Sequence, residues 1–321
     1  MQATARANSN IAFIKYWGNR DHELRLPENS SLSMNLEGVY TRTTVTWQPE
    51  LKNDVLVLNS KEQGGEVLLR ASQHLDILRT RLGLMGYAEI ESVNNFPMGA
   101  GIASSASSFA ALTVAAVAAA DLQLSERELT TLARLGSGSA SRSIPTGFVE
   151  WYAGNSHETS YAESIAVPEY WALVDVIAIV SEAHKAVTSK QGHHSANTSD
   201  LQVARVQGAS ERLRVCRQAL IAHDFEAFAD VVEYDSNLMH AVMMTSRPPL
   251  FYWQPTTLTV MEAIRQLRAD GLNVCYTLDA GPNVHCLCLQ ADAEEVAVAL
   301  TTIPGVRDVR QAGVGGAAVV E

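Results

Sequence analysis

Residues 95–108 read Asn-Phe-Pro-Met-Gly-Ala-Gly-Ile-Ala-Ser-Ser-Ala-Ser-Ser, and an alanine-rich run follows as far as Asp121. This stretch constrains the chain most, because small residues crowd a turn that leads straight into a helix starting near Ser104. Gly99 and Gly101 allow a backbone to approach a ligand without side-chain clash. The first amide N–H groups of the helix lack internal partners, and its aligned dipoles place partial positive charge there. A loop of this kind is a natural anion seat. Taken alone, it reads equally well as a tight turn before a buried helix.

The chain has 321 residues, 47% of them hydrophobic and 18% charged. That is the composition of a soluble globular protein with length enough for two moderate domains. A formal net charge of −11 argues against nucleic acid as a partner. It leaves room for a phosphorylated small molecule held by a local cluster of cations. Cys216, Cys275, Cys286 and Cys288 lack metal-ligand spacing and read as reduced core thiols, with Cys286 and Cys288 on one face of a strand. The N-terminus shows no basic region followed by an apolar run, and the run 109–120 is too short and alanine-rich to span a membrane. A cytoplasmic protein with no membrane partner is expected.

Strands are expected at 39–47, 54–58, 87–93, 147–152, 173–180, 273–278 and 284–289, with a short one at the end. Helical spacing covers 65–83 through Val67, Leu68, Leu75, Leu78 and Leu82, and continues with about 104–121. Ser125 and Glu128 form a capping box that opens a helix to about 135. Further helices are expected at about 200–222, 224–240, 257–270 and 292–301, and the polar stretch 181–200 reads as a loop and domain boundary. Strands and helices in mixed order, without regular βαβ repetition, predict an α+β fold.

Three phosphate-loop readings compete for 95–108. A Walker-type loop needs Gly-Lys-Ser/Thr, and no lysine follows Gly101. A dinucleotide fingerprint needs a third glycine where Ser104 stands, and its acidic residue would be Asp121, which ends a helix instead of a strand. The third is the GHMP kinase pattern: Pro97, three residues, then Gly101-Ile102-Ala103-Ser104-Ser105-Ala106. Other segments extend that resemblance, namely Asn10-Ile11-Ala12 through Lys15-Tyr16-Trp17-Gly18, Leu26-Pro27 through Asn29-Ser30-Ser31-Leu32-Ser33, and Ala133-Arg134 through Gly136-Ser137-Gly138-Ser139-Ala140-Ser141-Arg142-Ser143. Gly147-Phe148-Val149 with Trp151, Asp235-Ser236-Asn237 and Asp279-Ala280-Gly281-Pro282-Asn283 complete the set in family order. With these motifs the chain closely resembles the mevalonate diphosphate decarboxylase family of the GHMP kinase superfamily.

The resemblance implies a two-domain fold, ribosomal-protein-S5-like over 1–183 and ferredoxin-like over 184–321, with the active site between them. It also implies ATP-dependent decarboxylation of a 5-phosphorylated mevalonate in isoprenoid biosynthesis, with ATP and Mg²⁺ as cofactors and a homodimeric assembly. Asp279 matches the family's catalytic aspartate, although an Asp before Gly281-Pro282 is otherwise an ordinary turn residue. Lys15, which reads by default as a surface lysine, is placed beside it to keep it ionised. Arg142 lies in a glycine–serine loop that would give a structural arginine little to pack against, and its planar fork suits a substrate carboxylate. Asn10, Tyr16, Ser139, Ser189 and Lys190 are the implied substrate contacts. Pro97, Gly99, Gly101, Ser104 and Ser105 are implied to hold ATP phosphates with magnesium, and Lys185 is a weaker candidate for the same charge.

Two departures from the family bear on the substrate. Lysine commonly follows Lys-Tyr-Trp-Gly in enzymes that take the diphosphate, and this chain has Asn19. In the loop Ser189-Lys190-Gln191-Gly192 the usual following Met is His193, with His194 next. Losing a cation weakens a diphosphate more than a monophosphate, by about 1.5–3 kcal/mol per charge-assisted hydrogen bond. The expected substrate is therefore mevalonate 5-phosphate, with the 5-diphosphate as alternative, since Arg20, Lys190, His193 or His194 could restore the charge. A kinase of the 3-hydroxyl that does not decarboxylate, and a silent binding protein, are the other readings. His184, His193 and His194 lack a carboxylate companion, and no metal is assigned to them.

Overall fold

A computed structural model describes residues 1–96, 104–182 and 189–321, without the side chains of residues 189 and 190. Pro97, Gly99, Gly101, His184 and Lys185 lie outside the described residues. The chain begins with β1 (Gln2–Ile14), a small hairpin β2 (Asn19–Asp21) and β3 (Leu26–Pro27), and the long β4 (Ser31–Gln48). It continues through β5 (Val55–Leu58), β6 (Lys61–Gln63), α1 (Gly65–Leu82), β7 (Tyr87–Asn94), α2 (Ser104–Ala119) and α3 (Glu126–Gly136). A 3-10 turn at Gly138–Ser143 precedes β8 (Phe148–Trp151), β9 (Ala162–Ala166) and β10 (Leu173–Ile179). Then come α4 (Ser189–Ser195), α5 (Gln202–Gln207), α6 (Ala209–Ala222), α7 (Phe225–Thr245) and α8 (Pro255–Ala269). The chain closes with β11 (Val274–Thr277), β12 (Val284–Leu289), α9 (Ala293–Thr301), β13 (Asp308–Gly313) and β14 (Val319–Val320).

The elements build two sheets. The first runs β14-β1-β4-β7-β5-β6, with β8 on the far half of β4 and β9 beyond it. β4 can serve both neighbours because a register shift between Asn8 and Asn10 of β1 bends the pair, and Gly38 takes the bend at φ +75°. The second sheet is antiparallel in the order β11-β12-β10-β13. One apolar core lies between the sheets, joining Ile11, Phe13 and Met34 to Ile177, Leu287 and Phe228 of α7. A second packs α1, α2 and α3 on the first sheet, and a third packs α8 and α9 on the outer face of the second.

Most predicted elements appear within a few residues of their expected bounds, including α3 with its capping box. α2 is apolar nearly all round and correspondingly buried, its alanines allowing close approach to β1 and β4. The stretch 181–200 departs from the expected loop: α4 and a 3-10 turn at Ala196–Thr198 form there. Gly192 is seated so close to Trp17 that a Cβ would meet the indole at 2.4 Å, so tertiary packing overrides the polar composition. The expected helix over 200–222 is divided at Gly208, where Arg212 reaches back over the glycine and donates to the Arg205 carbonyl at 2.7 Å. β1 was not expected as a strand, since its Ala, Asn and Ser residues have weak strand preference.

Two histidines are locked into this framework. His74 of α1 bonds Thr113 Oγ1 of α2 at 2.8 Å, and His240 sits inside α7. Burial pulls both imidazoles down to about 3. An unfolded chain takes up protons at these positions below about pH 6.5 while the folded chain does not, so stability falls as pH drops from there toward 3. Each group contributes up to about 1.4 kcal/mol per pH unit. The variant His74→Gln keeps a partner for Thr113 and should flatten the dependence of the urea midpoint on pH between 7 and 4.5. An unchanged slope would show that His74 is not held neutral.

Candidate active site

The end of β1 carries Lys15 into the gap between the sheets, where its side chain is 1% exposed. Its Nζ lies 2.8 Å from Oδ1 of Asp279, on the turn after β11, whose side chain is 28% exposed. The lysine is thus the buried partner and the carboxylate the one open to a ligand. Burial pulls the ammonium down and Asp279 restores part of the loss. Burial likewise pushes the Asp279 carboxyl up, but Lys15, His285 and Arg142 outweigh it and hold the pKa below the usual range.

Both ends of this pair are fastened to one turn of α7. Asp235 accepts the Lys15 N–H at 2.7 Å and an Arg212 Nε–H at 2.6 Å. Its neighbour Ser236 accepts the Leu278 N–H at 3.0 Å, one residue before Asp279. The Lys15 carbonyl accepts from Arg205 at 2.8 Å and from Asn29 at 3.0 Å. Arg205 and Gln202 both reach the Trp17 carbonyl. The segment 15–17 is therefore held along its length.

Arg142, on the 3-10 turn, is 3% exposed and its guanidinium lies 5.9 Å from the Trp151 ring centroid. It has more to pack against than its glycine–serine surroundings predict. It donates to Ser31 Oγ at 2.7 Å and to Asn10 Oδ1 at 3.2 Å, while Nε has no partner among the described residues. Both acceptors are neutral, so no carboxylate among the described residues pairs with this buried cation. Asn10 also donates to Ser143 Oγ and to the Ser139 carbonyl. Ser139 continues through Ser137 to Ser105, at 3.4 and 3.2 Å. These hydroxyls connect the arginine to the first turn of α2, where Ser104 and Ser105 are half-buried.

Tyr16 donates to Asn19 Oδ1 at 2.6 Å and packs edge-on against Trp151. A Cβ at Gly138 would meet the Tyr16 ring at 2.6 Å, which explains that glycine. His193 stacks on Tyr16 with centroids 4.2 Å apart, and its Nδ1 accepts the Gly18 N–H at 3.0 Å. Only a neutral ring accepts there, consistent with burial and nearby arginines holding its pKa at about 3. Beside this group opens a cavity of about 140 Å³ lined by Asn19, His22, Arg25, Arg70, His193 and His194, among others.

Lys15, Asp279 and Arg142 thus come together with Asn10, Ser139, Tyr16 and Ser105 around one gap between the sheets. α4 begins at Ser189 and Lys190, whose side chains lie outside the described residues. Arg20 turns away to the Ala153 carbonyl on the surface. Sequence reasoning gave no role to Asp235, Ser236 and Arg205, which hold the Lys15–Asp279 pair in place. It also passed over Arg25 and Arg70, which line the cavity. The Asp-Ser-Asn run at 235–237 was the one available signal, since two polar residues buried on a helix interior need partners.

Residues 7–162 match the model of the diphosphomevalonate decarboxylase-like N-terminal domain, and residues 175–316 match that of the mevalonate 5-diphosphate decarboxylase C-terminal domain. The chain is 38% identical to diphosphomevalonate decarboxylase mvd1 of Aspergillus fumigatus, over 95% of this chain and 81% of that protein. It is 34% identical to phosphomevalonate decarboxylase of Haloferax volcanii, over 100% and 98% of the two chains. The fold superimposes on that of MDDEF in complex with MVAPP, AMPPCP and magnesium, with a TM-score of 0.95 and 35% identity over 100% and 99% of the chains. Among the described residues no helix is long and apolar enough to cross a membrane. With two domain models covering most of its length, the chain belongs to the mevalonate diphosphate decarboxylase family of the GHMP kinase superfamily.

Proposed function

We propose that the chain decarboxylates a 5-phosphorylated mevalonate at the expense of ATP, and that the phosphorylated mevalonate it prefers is the 5-monophosphate. The observation that carries the reaction is the meeting of an ionised Asp279, paired to a buried Lys15, with a buried Arg142 whose acceptors are all neutral. A substrate carboxylate supplies the counter-charge that Arg142 lacks, in the bidentate geometry a guanidinium favours. Asp279 accepts a hydrogen bond from the tertiary 3-hydroxyl and takes its proton as the oxygen acquires the phosphoryl group. Lys15 keeps the carboxylate ionised. Asn10 and Ser139 position the arginine and the carboxylate it would hold. Phosphate and carbon dioxide then leave, and an alkene forms.

The first-turn amides of α2 and the half-buried hydroxyls of Ser104 and Ser105 fit a triphosphate. Magnesium, when bound with ATP, neutralises phosphate charge, and these hydroxyl oxygens are donors of the hard kind that it takes. The known complex of the similar MDDEF with an ATP analogue and magnesium supports this assignment.

Preference for the monophosphate rests on Asn19. Its amide is engaged by Tyr16, His193 is neutral, and Arg20 points elsewhere, so none of the three supplies a cation there. The similar enzyme of Haloferax volcanii carries the name phosphomevalonate decarboxylase. One observation favours the diphosphate instead: Arg25 and Arg70 line the adjoining cavity. A comparison of kcat/KM on the two substrates separates the readings, with at least about tenfold in favour of the monophosphate expected. Asn19→Lys should move the ratio back toward the diphosphate by about tenfold or more. A clear preference of the natural enzyme for the diphosphate refutes the argument from Asn19.

The reaction itself is tested by assaying ADP and carbon dioxide together. Asp279→Asn should lower kcat by about 10²–10⁴-fold, the usual worth of a positioned acid–base group. Retention of full turnover by that variant would overturn the mechanism, and release of ADP without carbon dioxide from the natural enzyme would identify a kinase.

A further inference from the structure

The face of the second sheet that packs on the core between the sheets is apolar, built from Leu173, Ile177, Ile179, Cys275 and Leu287. Asp175 and His285 interrupt it. The register Asp175↔Leu287 and Ile177↔His285 puts both side chains on that face, one diagonal step apart on β10 and β12. His285 Nδ1 lies 2.6 Å from Asp175 Oδ2, and the side chains are 2% and 0% exposed. His285 Nε2 and Asp175 Oδ1 find no hydrogen-bond partner among the described residues.

Such a pair is a poor way to stabilise a core, because apolar residues of similar volume would avoid the desolvation of two ions. Its position gives a different reason for it. Thr277 stands directly opposite His285 on β11, and Asp279 follows Thr277 by two residues. Burial disfavours the imidazolium, but the charge of Asp175 and its hydrogen bond, aided by Asp279, raise the His285 pKa above the ordinary value. Reciprocally, His285 ranks after Lys15 among the charges that hold Asp279 ionised.

We propose that Asp175 and His285 form a positioning pair for Asp279, in which Asp175 fixes a buried imidazolium whose charge complements that of Lys15. The pair touches no substrate and acts through Asp279, so the proposal rests on the mechanism given above. Asp279 and Lys15 are the further charges that act on His285, while Asp279 itself is also faced by Arg142 of the 3-10 turn and His240 of α7, with Asp235 of α7 beside Lys15. Arg310 of β13 lies across from Ile177 but is engaged with Asp308.

The test compares His285→Gln and Asp175→Asn with the natural enzyme in the pH profile of kcat/KM, alongside kcat and KM at the optimum. Removing the nearby cation raises the pKa of Asp279, so the acid limb should move up by about half to one pH unit in both variants. kcat should fall about tenfold with KM within twofold, and the double variant should be no worse than either single one. Acid limbs unmoved in folded variants would overturn the proposal. Nitrogen NMR of the imidazole in the natural enzyme needs no variant: His285 protonated at pH 7.5 is expected, and a neutral ring refutes it. Full turnover by Asp279→Asn would fail the mechanism instead, leaving the protonation state of His285 as a separate measurement.

Discussion

Removing Lys15 from water costs several kcal/mol, and its attraction to Asp279 offsets that only if the geometry is held. Much of the surrounding structure does that holding. Asp235 takes the Lys15 amide and Ser236 takes the amide before Asp279, so two consecutive residues of one helix set the separation of an ammonium and a carboxylate that are 264 positions apart in the chain. Arg212 completes Asp235, and Arg205 fills the carbonyls of Lys15 and Trp17. Loss of Asp235, Ser236 or Arg212 would leave a buried charge or amide without a partner, the most costly kind of defect in a protein interior.

This arrangement explains why the two sheets meet as they do. β1 belongs to the first sheet and delivers Lys15, while β11 belongs to the second and delivers Asp279. The apolar cluster between them seals the pair from below, with Phe13 of β1 in edge contact with Phe228 of α7. α7 is thus both a core helix and the jig for the site: its apolar stripe fixes its depth, and its polar residues 235 and 236 fix the strands on either side.

Local signals were legible in the sequence wherever one chain segment decides its own structure. The capping box at Ser125 and Glu128, the spacing of Leu75 and Leu78 in α1, and the strand containing Cys286 and Cys288 depend on nearby residues and appear as expected. The meeting of Lys15 with Asp279 was placed through motif resemblance, because no periodicity reports a contact across two sheets. Structure that depends on distant partners was not legible. α4 forms in a polar stretch because Gly192 fits under Trp17, and the division at Gly208 follows from Arg212 reaching Arg205. The burial of Lys15 was hidden for the same reason, since an isolated lysine after a strand carries no mark of its depth.

The charge balance of the site follows from these pairings. Among the described residues Lys15 is matched by Asp279, Arg212 by Asp235 and His285 by Asp175. Arg142 and Arg205 have no carboxylate of their own and bind neutral oxygens instead. Both leave Nε without a partner among the described residues, but Arg205 gives its terminal donors to the Lys15 and Trp17 carbonyls and so serves the frame. Arg142 instead lowers the pKa of Asp279 through its charge. A chain of formal net charge −11 therefore encloses a gap with surplus positive charge, and low surrounding polarisability makes that surplus act strongly on an anion that enters. Because the surplus is carried by a guanidinium fixed from two sides by Ser31 and Asn10, it selects for direction as well as sign: an anion meets it best in the plane of the fork, the approach a carboxylate would take in the proposed reaction.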